Sequence, residues 1–418
     1  MPQSLSLRNA LCNKRMLICI FTGFSSGLPL YILISLLPAW LRSAGVDLKA
    51  IGLFALIQLP FTWKFLWAPF FDRYRPILGR RRGWLCITQL GLLLSIPGFG
   101  WLKPDLDLWL IAALAGAVAF LSASQDIVLD ALRREILHDP ELGLGNAIHV
   151  NAYKIAGLVP GSLSLILADF LAWPWVFSIT ALFMLPGILM TLCIQEPVIQ
   201  QGAPKTLRQA VEEPFFEFIH RNGWQSALQI LAFIFLYKLG DSMATALATP
   251  FYLDLGFSKT EIGLVAKNAG LWPSVIGGLL GGLWMIKLGI NRALWLFGVV
   301  QMLAILGFAW LAVVGHTLGW LALVISVEAL GVGLGTAAFV AFIAQATHPL
   351  YTATQFALFT SLAAVPRTFA NAATGYIVES VGWTLFFLIC FIAAIPGMLL
   401  LIKVAPWNGH PKNLSLQD

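Results

Sequence analysis

Apolar residues fill this chain in runs of about 20, punctuated by Gly, Pro and clustered charge. A helix rises about 1.5 Å per residue and a bilayer core is about 30 Å thick, so each run can span a membrane. The pattern predicts twelve spans. Six lie near 16–41, 48–71, 83–102, 108–132, 147–169 and 174–195, and six near 225–252, 261–286, 292–313, 318–345, 352–378 and 383–403. Basic residues precede the first run, as in a signal peptide. That run is long enough to span, however, and no small-x-small cleavage site follows it, so an uncleaved first helix is expected.

The pattern also repeats. Asp169 to Trp173, Phe177 and Leu185-Pro186-Gly187 return as Glu379 to Trp383, Phe387 and Ile395-Pro396-Gly397, each pair 210 positions apart. Ile51-Gly52-Leu53 echoes as Ile262-Gly263-Leu264 at 211. Two membrane-embedded halves of like orientation are the build of a rocker-switch carrier. The expected organisation is a six-helix half over 1–195, a linker over 196–224, a second six-helix half over 225–405 and a tail over 406–418.

Composition agrees: 59% of residues are hydrophobic and 11% charged, against roughly 45–50% and about 25% in soluble domains. Little chain remains for a soluble domain, so an enzyme site would have to lie among helices. The net charge of +6 invites a nucleic-acid partner, but its placement argues otherwise. Seventeen Lys and Arg fall on one set of loops and both ends, and only Arg42, Lys49, Lys103 and Lys259 on the other set. The positive-inside rule then puts both termini in the cytoplasm. Sixteen Trp and 29 Phe suit membrane interfaces and packed helices, and the five scattered cysteines read as packing residues. In the linker, Thr206 to Gln209 has capping-box spacing, which predicts a short amphipathic helix on the cytoplasmic membrane face that ends at Pro214.

The second run ends in Trp67-Ala68-Pro69-Phe70-Phe71-Asp72-Arg73, followed by Gly79-Arg80-Arg81-Arg82-Gly83. An acid at a helix end, a tight loop and a basic cluster resemble the signature loop of the major facilitator superfamily, where such groups lock and release the halves. Asp72, Arg73, Arg80, Arg81 and Arg82 are therefore candidate gating residues. The arginines alone would also set topology. The matching loop of the second half, Gly281-Gly282 to Arg292, lacks the acid.

Ionisable residues at membrane depth cost about 2.5–3.5 kcal/mol each and need a partner, water or a function. The cations are Lys64, Lys154, Lys238, Lys267 and Arg367; the acids are Asp126, Asp130, Asp241 and Glu328. Asp130 stands one turn before Arg134 and is expected to pair with it. Lys238 and Asp241 share a helix face and either neutralise each other or bind substrate. Asp126, one turn deeper than Asp130, is the first candidate to carry a proton, with Glu328 second and Asp130 third; Glu328 either titrates or pairs, for example with Arg367. The glycines at 331, 333 and 335 read as close packing or a hinge rather than a phosphate loop. Tyr31, Trp40 and Trp63 stack on sugars or anchor at the interface. No nucleophile elbow, metal-ligand set or phosphate loop is visible, and single buried charges in dissimilar halves do not suit a channel.

Several blocks carry a closer likeness: Ser25 to Leu30, Lys64 to Pro69, Ser122 to Ala131 with its Ser-Gln-Asp, Pro204 to Leu207, Leu236 to Asp241, and Ala353 to Leu358 with Arg367. Together they resemble the AmpG muropeptide permeases of Gram-negative bacteria, from the first span to the twelfth. The resemblance implies an all-α major facilitator fold. It also implies proton-driven import of anhydro-muropeptides from periplasm to cytosol, for peptidoglycan recycling and indirect control of β-lactamase induction. By matching motif it makes Gln125, Asp126, Lys238, Asp241, Lys267, Asn268, Gln355 and Arg367 candidates for substrate or proton handling. Some members carry two further spans, and the last apolar run here is the twelfth. Shorter relatives include siderophore-uptake permeases and, more distantly, acetyl-CoA transporters, so another organic anion stands as the alternative substrate.

Five buried cations against four acids favour an anionic solute, held by Lys64, Lys154, Lys238, Lys267 and Arg367 in a central cavity between the halves. The expected partners are a small anionic substrate, protons and the lipid bilayer, with no nucleic acid. No cofactor is expected beyond the proton gradient. The expected location is the bacterial inner membrane, as a monomer.

Overall fold

The computed structural model describes residues 13–46, 57, 59–197, 207–257 and 261–408. No strand occurs among them. The helices used below are α1 (Lys14–Tyr31), α2 (Ala68–Arg73), α3 (Arg82–Ser95), α4 (Leu108–Ile136), α5 (Leu142–Ala156), α6 (Trp173–Leu182) and α7 (Leu185–Cys193). They continue with α8 (Leu207–Asn222), α9 (Trp224–Leu236), α10 (Leu239–Ala246), α11 (Lys267–Val314), α12 (Leu318–Ala346) and α13 (Thr352–Val404). Nine helices among the described residues are long and apolar enough to cross a membrane. Each of the twelve expected runs falls on helix where it is described. Gly289 divides α11 and Gly382 divides α13, each at a φ of 76°, and the described part of the second run is broken at Lys64–Leu66.

Prolines explain three of the breaks. A proline removes the bond to the carbonyl four residues back and crowds it. Before Pro69 the second span loosens into a tighter turn at Lys64–Leu66. Before Pro250 the backbone leaves helical geometry at Leu247 (φ −112°, ψ 26°), and around Pro160 one wide turn opens at Val159–Leu163. Pro214, expected to end the linker helix, lies inside α8, which runs on to Asn222. Pro214 costs this helix the bond to the carbonyl of Ala210, but the turns on either side are held by their own bonds, so the helix continues through it.

The chain forms two compact units, residues 1–217 with 344–361, and residues 218–343 with 362–418. Each has an apolar core, and the sequence repeat reappears as packing. In the first unit Trp40, Phe99, Trp173 and Phe177 form one cluster, with Trp40 5.2 Å and Phe99 5.4 Å from Phe177 between ring centroids. In the second, Phe251, Phe308, Trp383 and Phe387 do the same, at 4.8 Å and 5.3 Å from Phe387. Such ring pairs contribute about 0.5–1.5 kcal/mol each beyond their burial. Trp40, 2% exposed, is thus core rather than a sugar platform or interface anchor. The repeated Pro-Gly is a contact point as well. A Cβ on Gly187 would meet Ser25 Oγ at 2.6 Å, and one on Gly397 would meet Tyr237 Cα at 2.8 Å. The last span of each unit therefore lies close against the first. Cys19, Cys86 and Cys390 are buried as expected; Cys193, at the end of α7, is exposed.

Candidate functional site

Two polar clusters lie in the first unit, and both begin with helix ends. Asp72, fully buried near the end of α2, accepts the Thr354 backbone N–H at 2.9 Å and its hydroxyl at 2.8 Å. The Ala353 N–H points to the same carboxylate at 3.4 Å. These are the unpaired donors of the first turn of α13, where a negative charge is stabilised by the helix dipole. Arg81, also fully buried, donates to Asp72 at 2.9 Å, to Glu135 of α4 at 2.6 Å and to the Thr352 hydroxyl at 2.6 Å. That hydroxyl in turn donates to Glu135 at 2.6 Å, and Arg80 closes the knot on Glu135 at 2.8 Å.

Burial, with Arg81 alongside, pulls the Arg80 guanidinium down to about 10. Burial opposes the charge on Arg81 too, but Glu135 and Asp72 together hold it above the usual guanidinium range. Both stay charged at neutral pH. Glu196 supports the loop by accepting the backbone N–H groups of Arg81 at 2.8 Å and Arg82 at 3.0 Å.

Of the five gating candidates, Asp72, Arg80 and Arg81 meet in this knot. Arg73 turns aside over the Tyr74 ring, 5.5 Å from its centroid. Arg82 bonds the carbonyls of Leu192 at 2.7 Å and Thr191 at 3.3 Å. Glu196 and Thr352 carry no signal in the sequence, Glu135 shows only as an acid directly after Arg133-Arg134, and Thr354 stands out there only as part of the Ala353-to-Leu358 block.

The second cluster sits where α1 meets α4. Pro29 frees the carbonyl of Ser25, four residues back in α1. Gln125 Nε2 takes that carbonyl at 2.8 Å, while the Ser26 hydroxyl donates to Asp126. Asp126 is half-buried. Asp130 does not pair with Arg134, as helix spacing suggested. It takes Arg133 at 2.8 Å and Lys64 at 3.4 Å, and Arg134 reaches forward to Asp139 at 3.4 Å. The i,i+3 partner lies on the inward face with Asp130, and the broken helix before Pro69 brings Lys64 to the same carboxylate. Arg133 also bonds Asn146 at 2.6 Å and lies over the Phe356 ring.

Gln125 therefore serves the backbone of α1. Replacing it with Met is expected to lower the melting temperature by several degrees, because Ser25's buried acceptor loses its partner at about 1–3 kcal/mol. Substrate affinity in the folded protein should stay within about twofold, well under the 1.4 kcal/mol of a tenfold change. A thermal melt beside a binding titration checks both.

The remaining candidates are spread out. Gln355 bonds the linker helix α8, donating to Glu217 at 2.7 Å and the Pro214 carbonyl at 2.9 Å, and it accepts the His348 N–H at 2.7 Å. Tyr351 donates to Glu213 of the same helix at 2.6 Å; burial, with that hydrogen bond, raises its phenol above the usual range. In the second unit Lys238 and Asp241 pair at 3.5 Å across the break between α9 and α10. Glu328 is buried in α12, Lys154 is half-buried in α5, and Asn268 is exposed at the start of α11. The side chains of Lys267 and Arg367 lie outside the described residues.

A family model described as Major Facilitator Superfamily matches residues 19–371. An uncharacterized protein of Haemophilus influenzae is 52% identical over 411 residues, covering 96% of this chain and 97% of its own. The anhydromuropeptide permease of Escherichia coli K12 is 42% identical over 391 residues, covering 93% of this chain and 79% of its own. A putative transporter AmpG 4 of Rickettsia felis is 31% identical, with 91% and 94% covered. Among solved structures, the proton:xylose symporter XylE superposes with a TM-score of 0.68 at 11% identity, covering 94% of each chain. The human organic anion transporter MFSD10 gives 0.66 at 16%, covering 92% and 98%. At such identities these two speak for the fold alone.

Proposed function

The chain belongs to the major facilitator superfamily and, within it, to the AmpG family of membrane transporters, and from that premise we propose that it imports anhydro-muropeptides (GlcNAc-anhydroMurNAc-peptides) from periplasm to cytosol, driven by protons. The cargo would feed peptidoglycan recycling. The observation that carries the substrate class is the likeness to the Escherichia coli permease over nearly the whole chain.

The chemistry of the first unit supports the coupling. Asp126 is half-buried at the α1–α4 contact, and its partner is a hydroxyl. Ser26 can donate to an ionised carboxylate and accept from a protonated one, so the site holds both states without rearranging. Asp130, by contrast, is neutralised by Arg133 and Lys64 and suits a fixed structural charge. Lys64 then becomes available to a substrate carboxylate only by exchanging partners. The knot on Asp72 acts as a latch on the first turn of α13, released when its charges separate. The termini are cytoplasmic in this reading, as the Lys and Arg bias requires.

The substrate assignment is tested by ligand-induced stabilisation of the purified protein. A ligand at 100 times its dissociation constant adds about 2.7 kcal/mol. GlcNAc-anhydroMurNAc-tripeptide is expected to raise the melting temperature while a ferric siderophore does not. The reverse ranking would keep the carrier and replace its cargo.

A further inference from the structure

The second unit buries polar atoms that the transport scheme above leaves unused. Asp241 gives Oδ2 to Lys238, while its Oδ1 is buried with no hydrogen-bond partner. Gln301, in the part of α11 after Gly289, is 4% exposed, and its Nε2 is likewise buried without a partner. Both residues line one small cavity, walled in addition by Tyr237, Gly298, Met302 and Met398. The Tyr237 hydroxyl donates to the Leu294 carbonyl at 3.0 Å, so toward the cavity it can only accept.

Gln301 is held where it is by the glycines of α12. A Cβ on Gly335 would meet Gln301 Oε1 at 2.2 Å, and one on Gly331 would meet its Cα at 3.2 Å. Gly333 does the same against the Ser274 carbonyl, at 2.2 Å. The glycine run thus serves close helix packing, and at its two ends that packing fixes Gln301.

Lys238 Nζ, at ion-pair distance from Asp241 Oδ2, makes no hydrogen bond either, so the unmet groups are one acceptor and two donors, and their chemistry defines what fits. A carboxylate oxygen only accepts, and an amide nitrogen only donates. An anion would meet Asp241, and a cation would meet the amide donor with Lys238 beside it. A small neutral molecule that both donates and accepts satisfies the pair. In apolar surroundings the penalty for two unmet polar groups exceeds that of immobilising one water.

We infer that the second unit contains an internal water-binding site formed by Asp241 Oδ1 and Gln301 Nε2, with Gln301 as its positioning residue. The water ties the outer oxygen of Asp241 to α11 and so keeps the other oxygen turned to Lys238. This holds whatever the substrate is.

Hydroxyl-radical footprinting of the full chain in nanodiscs tests it, because radicals formed at a bound water oxidise the methionine beside it. Met398, Met243 and Met285 are 8%, 7% and 4% exposed, so bulk access is alike, but of these only Met398 lines the cavity. Met398 is expected to oxidise several-fold faster than the other two. In Gln301→Leu, which removes the donor at similar bulk, its rate should fall to theirs. Equal rates in the unmodified protein overturn the site. So does a Met398 rate unmoved by Gln301→Leu, since packing alone would then be the role of Gln301.

Discussion

Replacing Arg81 with Gln is expected to cut the turnover of uptake by at least about tenfold while leaving substrate affinity within about twofold, where 1.4 kcal/mol makes a factor of ten. The side chain is fully buried and holds Asp72, Glu135 and Thr352 at once. Removing one partner of such a cluster leaves uncompensated buried charge, at about 3–5 kcal/mol. That loss falls on the state in which the first turn of α13 is fastened, because Asp72 accepts the Thr354 N–H and hydroxyl there. One state of the transport cycle is therefore destabilised and the step through it slowed, while groups that touch the solute are unaltered. Arg82 provides the control within the same loop. Its guanidinium reaches backbone carbonyls and no acid, so Arg82→Gln should change turnover by no more than about twofold, as an exposed pair is worth about 0–1 kcal/mol. Arg81→Lys, which keeps the charge but loses the planar fork, should fall between the two. Initial rates against substrate concentration for the three variants decide the matter. Equal effects of Arg81 and Arg82, or a pure affinity defect, would place the gate elsewhere.

Asp126→Asn is expected to abolish uphill uptake and spare exchange between loaded vesicles. An asparagine still accepts the Ser26 hydroxyl, so the α1–α4 contact keeps its geometry. What it loses is the ability to take up and release a proton. Counterflow in proteoliposomes should stay near the unmodified rate while accumulation against a gradient disappears. Unchanged accumulation would remove Asp126 from the coupling path and turn attention to Glu328.

Much of the architecture is legible in the sequence. Runs of about 20 apolar residues have few ways to sit in hydrocarbon, because each backbone polar group must be paired within the segment. The echo at 210 positions placed Trp173 against Trp383 and Phe177 against Phe387, and those rings occupy matching aromatic clusters. Asp72 and the arginine loop were also visible, because an acid beside three arginines is local.

What escaped was partnership at a distance. Glu135 lies 54 positions from Arg81, and Thr352 lies 271. Nothing in their own neighbourhoods announces the meeting. Gln125 drew notice through its motif, yet its partner is the carbonyl that Pro29 sets free 100 positions earlier. Local spacing also misassigned Asp130. An i,i+4 partner and an i,i+3 partner are equally near on a bare helix, and only the arrival of Lys64 and Asn146 selects Arg133. Gln301 gave no signal at all, since a lone amide in an apolar run gains meaning only from the cavity it faces.

The most direct test of the central claim is uptake of labelled GlcNAc-anhydroMurNAc-peptide into proteoliposomes under an imposed pH gradient, with ferric siderophore run in parallel. Proton-driven import predicts accumulation of the sugar peptide above the external concentration when the outside is acid, none when the gradient is reversed, and collapse of the signal on adding a protonophore. Accumulation indifferent to the direction of the gradient, or siderophore accumulating in place of the sugar peptide, would contradict it.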